Sequence, residues 1–269
     1  MKSCILVLCL TFYSFQSFAV YFGTIDYYRP ESFIKKIQEN SGHDSYKFVN
    51  KLQNAINATV FLPKRGTGVL ISPDGIIATA AHVISHLHIG ASDSCPGLNF
   101  YLNHEKNSRE VFDKHIKLIC EEVLVYDYAH DFALVKVKIE DPNATLPFVE
   151  IFKETEAIRL GSKIITVGHP HARSWNKSSK VISVGPIIFN GYDDPNFPHL
   201  LHLADTQGGH SGSPLFNVKG ELVGIHFRGI PYFSDGIEWV NNGEVEIIKT
   251  FNVAIDIGFI YETYLQHYL

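Results

Sequence analysis

The stretch GTGVLISPDGIIATAAHVI, residues 66–84, decides the fold. GTGVLI and GIIATAAHVI are short apolar runs rich in β-branched residues. Ser72-Pro73-Asp74-Gly75 between them is a tight-turn signal, so the pair reads as a hairpin. The same texture continues in both directions. AINATVFL precedes it; KLICEEVLVY, DFALVKVKI, KIITVGH, KVISVGPIIF, HLLHL, SPLFNV, ELVGIHF and EIIKTFNVAI follow. Many short strands at such spacing predict an all-β sandwich or barrel. EDPNATLPFVE at 140–150 divides this region near its middle, giving a β half at 55–140, a linker at 141–154 and a second β half at 155–269.

The two ends read differently. Residues 20–54 carry helical periodicity: Pro30 opens a helix, Phe33, Ile34 and Ile37 share one face, and Phe48, Leu52 and Ile56 share another. This segment is either a permanent extension or a propeptide. Ile257 to Leu269 again reads as a helix. At the start, Lys2, the apolar run CILVLCLTFYSF and the small residues of Ser17-Phe18-Ala19 have the build of a secretory signal peptide, 1–19, cut after Ala19. That run is short for a membrane span, so the expected product is periplasmic or secreted, with no membrane anchor. Of the four cysteines, Cys4 and Cys9 fall in this leader. Cys95 and Cys120 remain, either bridged, as an oxidising compartment favours, or packed as two buried thiols.

The chain has 269 residues, 45% of them hydrophobic and 19% charged, the composition of a core-forming protein. A net charge of −5 without a basic stripe gives nucleic acid no electrostatic hold. His82, His86 and His88, or His169 and His171, have suggestive spacing, but no acidic or cysteine partner completes a metal set. No metal or cofactor is therefore expected.

GGHSGSPLF at 208–216 carries the strongest chemical signal. A nucleophilic serine needs a tight, glycine-flanked turn and free backbone N–H groups beside it to hold an oxyanion. Ser211 has the turn, and the N–H groups of Gly209 and Ser211 are the candidate donors. A serine is weak until a base takes its proton. His82, at the end of the apolar strand IIATAAHVI, is the candidate base; Asp131, just ahead of the strand FALVKV, is the group to orient it. The order His, Asp, Ser places the first two in one β half and the serine in the other, so the site would lie in the cleft between them. An α/β-hydrolase would need the order Ser, Asp, His and alternating helices.

TAAHV, DFALV and GHSGSP resemble the signature blocks of chymotrypsin-like (trypsin-fold) serine peptidases. The resemblance implies two six-stranded antiparallel β-barrels with the site between them. It also implies a serine endopeptidase acting on proteins or peptides through an acyl-enzyme, here expected as a monomer. SGSPLFN and GELVGIHFRG look most like the staphylococcal glutamyl endopeptidases, whose pocket reads an acidic side chain. By motif position that pocket would contain Thr206 and His226, with Arg228 nearby. Phe227 and Arg228 depart from the pattern, which holds tryptophan and glycine there. His210 stands where trypsin has the aspartate that binds a newly cut N-terminus, so that switch is missing. The alternatives are an HtrA-like protease domain without a PDZ domain, cutting after small apolar residues, or an inactive homologue that binds proteins.

Overall fold

The Ser72–Gly75 turn closes as the sequence predicts: Gly75 N–H donates to the Ser72 carbonyl (3.2 Å) and Asp74 N–H to the Ser72 hydroxyl (3.1 Å). The computed structural model describes residues 27–40, 46–85, 95, 97–103, 115–139, 145–152, 158–172, 179–191, 197–241 and 244–269. The expected leader, His86, His88 and residues 141–144 lie outside these residues.

The turn joins β2 (Gly66–Ser72) to β3 (Ile76–Thr79). With β1 (Thr59–Leu62), β4 (Asn99–Leu102), β5 (Ile116–Asp127) and β6 (Phe132–Ile139) they form a closed antiparallel barrel, ordered β1-β2-β3-β6-β5-β4. The second barrel contains β7 (Lys163–Gly168), β8 (Val181–Asn190), β9 (His199–His202), β10 (Pro214–Phe216), β11 (Leu222–Ile230) and β14 (Phe251–Asp256), ordered β10-β11-β14-β9-β8-β7. Closure removes free sheet edges and buries β2 on every residue. The two six-stranded barrels stand as the resemblance implied.

Some local readings change. AINATVFL is not one strand: helix α2 (Tyr46–Ala58) continues through Ala58 before β1 begins. Val49, Leu52, Ala55, Ile56 and Ala58 are buried by helical spacing, while Phe48 is about half exposed rather than inward-facing. EIIKTFNVAI splits into β13 (Glu244–Ile248) and β14; β13 pairs with β12 (Ile237–Asn241) in a separate hairpin. The other helices are α1 (Pro30–Asn40), α3 (Ala81–Ile84) and α4 (Ile257–Thr263), followed by a 3-10 turn at Leu265–His267. Asp256 caps α4, accepting from the Gly258 (2.7 Å) and Phe259 (3.3 Å) N–H groups.

Cys95 and Cys120 form a disulfide, with Cα atoms 5.7 Å apart. Phe33 and Ile34 of α1 and the apolar stripe of α2 join the same continuous core as both barrels. Among the described residues no helix is long and apolar enough to cross a membrane.

Candidate active site

The register of the first barrel brings two of the expected residues together. Thr79 of β3 lies opposite Ala133 of β6, and the ladder continues beyond the strands, where Ala81 N–H donates to the Asp131 carbonyl (3.1 Å). His82 on α3 therefore faces Asp131 in the β5–β6 turn. Asp131 grips it twice: Oδ1 accepts the His82 backbone N–H (2.8 Å) and Oδ2 pairs with the ring Nδ1 (2.7 Å). Asp131 has φ +55, a left-handed conformation that aspartate tolerates better than most side chains. Asp131 thus engages Nδ1 of the ring, and the His82 side chain is 19% exposed.

The turn carrying Asp131 is braced from outside. Asp127 accepts the N–H groups of Ala129 (2.8 Å) and His130 (3.1 Å), pairs with the His130 ring (2.5 Å) and accepts the Tyr264 hydroxyl. Burial would raise the Asp127 carboxyl, but Tyr264 and His130 outweigh it and hold it below the usual range. Tyr264 also stacks on Phe132 at 5.4 Å, so the C-terminal helix presses on the strand that follows Asp131.

Ser211 sits in the loop between β9 and β10 and is 4% exposed. Thr67 of the first barrel stitches this loop across the cleft. Its N–H donates to the Ser211 carbonyl (2.9 Å), its hydroxyl donates to the Gly209 carbonyl (2.9 Å), and the same oxygen accepts the His169 N–H (3.1 Å). Gly212, at φ +83, is required here, because a Cβ would overlap the Thr67 carbonyl and the Thr79 hydroxyl. Among the described residues no backbone carbonyl accepts the N–H of Gly209 or Ser211.

The loop is also tied to the expected specificity strand. Gly212 N–H donates to the His226 carbonyl and His226 N–H to the Ser213 carbonyl, both at 2.8 Å. His226 and Thr206 are buried. The His226 Nδ1 lies 3.4 Å from the Nε2 of His202, a fully buried residue that the sequence reading passed over. Burial, and then His202, hold His226 well below the usual histidine pKa, so its ring is neutral. Thr206 donates its hydroxyl proton to Asn252 Oδ1 (2.8 Å), while the Asn252 amide donates to the Ala204 carbonyl (2.8 Å) and so fixes that orientation. Arg228 is exposed and separated from His226 by a bulge in β11. Thr67, His202, Asn252 and Tyr264 were all unmarked in the sequence; only Thr67, beside a glycine at the head of the deciding stretch, lay within a motif. Among the described residues no three His, Cys, Asp or Glu side chains converge as a metal set.

The family model of the trypsin-like peptidase domain matches residues 66–225. The chain is 32% identical over 126 residues to a pro-apoptotic serine protease, NMA111, of Coccidioides immitis, covering 44% of this chain but 12% of that protein. It is 23% identical over 210 residues to the glutamyl endopeptidase of Staphylococcus epidermidis, covering 74% and 69% respectively. It is 26% identical over 165 residues to serine protease HTRA1 of Xenopus laevis, covering 60% and 30%. The chain thus spans about an eighth of the first fungal relative. The crystal structure of Deg5 superposes with a TM-score of 0.56 at 19% identity, over 84% of this chain and 97% of that one, a likeness of fold. With the matched segment running from β2 into β11 and enclosing His82, Asp131 and Ser211, the chain belongs to the trypsin-like peptidase domain family.

Proposed function

We propose that this protein is an exported serine endopeptidase in which Ser211 is the nucleophile, His82 the base and Asp131 its orienting partner. The observation that carries this is the twofold grip of Asp131 on His82, within a chain whose Ser211 loop is stitched to the same barrel by Thr67. Ser211 Oγ attacks the scissile carbonyl as its proton passes to His82 Nε2. Asp131 stabilises the imidazolium through Nδ1–H, and the Gly209 and Ser211 N–H groups hold the oxyanion. His82 then returns the proton to the leaving amine, giving the acyl-enzyme. A water, deprotonated by His82, releases the acid and restores the serine.

For specificity, the acidic side chain before the cut is read by His226, the residue the motif places at that position. If His202 donates to the His226 Nδ1, the His226 proton stands on Nε2 and points a neutral donor at a carboxylate. Thr206 contributes shape and an oxygen whose proton is already given to Asn252. Arg228, exposed, adds positive potential at the rim.

The test is digestion of an unfolded protein mixture by the full chain beside a Ser211→Ala control, with every cleaved bond identified by mass spectrometry. Cuts after Glu or Asp, absent in the control, are expected. Serine-dependent cuts after small apolar residues would retain the peptidase and refute the acidic pocket. No serine-dependent cut would refute the enzyme.

A further inference from the structure

The nucleophile loop has a wall that lies outside both barrels. His210, between Gly209 and Ser211, is fully buried. Its backbone closes the turn, donating to the Gln207 carbonyl (2.9 Å) and accepting from Ser213 N–H (2.8 Å). One side of its ring lies against Gly168, where any Cβ would strike the ring and the Ser213 hydroxyl. The Tyr27 ring stacks on it at 5.7 Å between centroids, with 15° between the planes.

Tyr27 is held there by its neighbour. Tyr28 exchanges both backbone hydrogen bonds with Ile182 of β8, each 2.9 Å. The Tyr28 ring packs on Phe33 at 5.6 Å and lies under the Lys36 ammonium at 5.1 Å. Phe33 and Ile34 are buried in the main core. Behind α1, the buried Lys180 amine donates to the Ile56 carbonyl near the end of α2 (2.6 Å). Residues 27–40 and 46–58 are thus anchored by sheet pairing, aromatic contacts and core packing.

We infer that Tyr27 is a positioning residue for the nucleophile loop: the N-terminal strap, through Tyr27 on His210, holds the Gly209 and Ser211 N–H groups where an oxyanion forms. This rests on the peptidase reading for its catalytic consequence, but not for its structural one. The strap then belongs to the working enzyme, and any activating cut falls before Tyr27. A cut after it would loosen His210 and lower turnover without touching the pocket at His226.

Two arms test this. In the full-length active chain, Tyr27→Ala is expected to lower kcat by ~10 to 10²-fold with KM unmoved, short of or equal to the loss of an oxyanion donor itself. Tyr27→Phe, which keeps the stack, restores kcat. In the Ser211→Ala background, Tyr27→Ala is expected to speed amide hydrogen exchange at Gly209 to Ser211 while the strands keep their protection. Unchanged exchange in the loop would overturn the inference whether or not the protein proves to be an enzyme. A loss confined to KM, or a Tyr27→Phe variant as impaired as Tyr27→Ala, would overturn it as well. If the unaltered chain shows no serine-dependent hydrolysis, the peptidase reading fails alone and the exchange arm still decides.

Discussion

Lowering the pH from 7 to 5 should strip this protein of most of its stability. His199, His202, His210 and His226 are all buried. Burial first, with His130 adding, takes His199 to about 4. Burial and His210 take His202 to about 3. Burial takes His210 to about 4, against the opposing bond to Gln207 and with a further push from His171. Each is neutral in the fold, yet becomes charged in the unfolded chain below about pH 6.5. The unfolded state therefore binds more protons, and stability complete above pH 6.5 is lost as pH falls toward the folded values. By pH 5 each of these three costs about 2 kcal/mol. Asp256 works the other way. Burial raises it to about 6, against its bonds to Gly258 and Phe259, so its protonation in the folded state returns about 1 kcal/mol over the same interval. The net loss is about 5 kcal/mol, and His226, lowered well below its ordinary value, deepens it.

Domains are stable by only ~5–15 kcal/mol, so a loss of that size approaches the whole. Urea unfolding followed by circular dichroism and tryptophan fluorescence at pH 7, 6 and 5 should show a constant slope m and a midpoint falling by about 2 M. His199→Phe removes one of these titrations and fits a site already lined by Phe197 and Phe227, at 4.6 and 5.3 Å. It should make the midpoint less sensitive to acid. A midpoint that moves by less than ~0.5 M would refute the reasoning, because the buried rings would then have to find protons or water in the folded state.

Four further outcomes are expected. Asp131→Asn should lower kcat by ~10⁴-fold with little change in Tm, the fall seen when the orienting aspartate of such a triad is amidated; steady-state kinetics and calorimetry check it. Tyr264→Phe removes the hydroxyl from Asp127 but keeps the stack on Phe132, and should cost ~1.5–3 kcal/mol in chemical unfolding, the range for a bond to a charged group. Replacing both Cys95 and Cys120 by alanine, which opens a link across 25 positions, should cost about 3 kcal/mol by the same measurement. Thr67→Val keeps the shape but orphans the Gly209 carbonyl and the His169 N–H, so kcat and stability should both fall, by ~1–3 kcal/mol for the latter, while Thr67→Ser recovers them.

The barrels were legible because closed sheets leave a local signature: short apolar runs, turn residues between them and a break near residue 145. Ser72–Gly75 closed the hairpin it announced. The triad candidates were legible because each stands at the end of such a run, where side chains emerge from a rigid frame. What escaped was set by distant pairing. Ala55–Ala58 looked like strand, since β-branched and small residues suit either state; the stripe of Val49, Leu52 and Ile56 against the core kept them helical. Phe48 was placed inward by spacing alone, yet it is exposed and Val49 is buried beside Leu52 and Ile56. His202 lay hidden among 14 histidines; only the β9–β14–β11 neighbourhood brings it behind His226. Tyr264 gave no sign that it would reach a carboxylate 137 positions away.

Those distant contacts share a geometry with a consequence. The N-terminal strap precedes the first barrel, yet Tyr28 pairs with β8 and Tyr27 covers His210, both in the second. The C-terminal helix follows the second barrel, yet Tyr264 and Phe259 pack on Asp127, His130 and Phe132 of the first. Each chain end crosses to the opposite half and closes beside a loop that holds a candidate catalytic residue. Thr67 makes a third crossing at the centre. The halves cannot separate without breaking all three ties, and the loops cannot drift without loosening one of them. Such mutual bracing favours unfolding of both barrels in one transition. Two of the three turns that carry candidate residues are braced in this way: the Asp131 turn and the Ser211 loop are each held by their own barrel and by a segment from the other half.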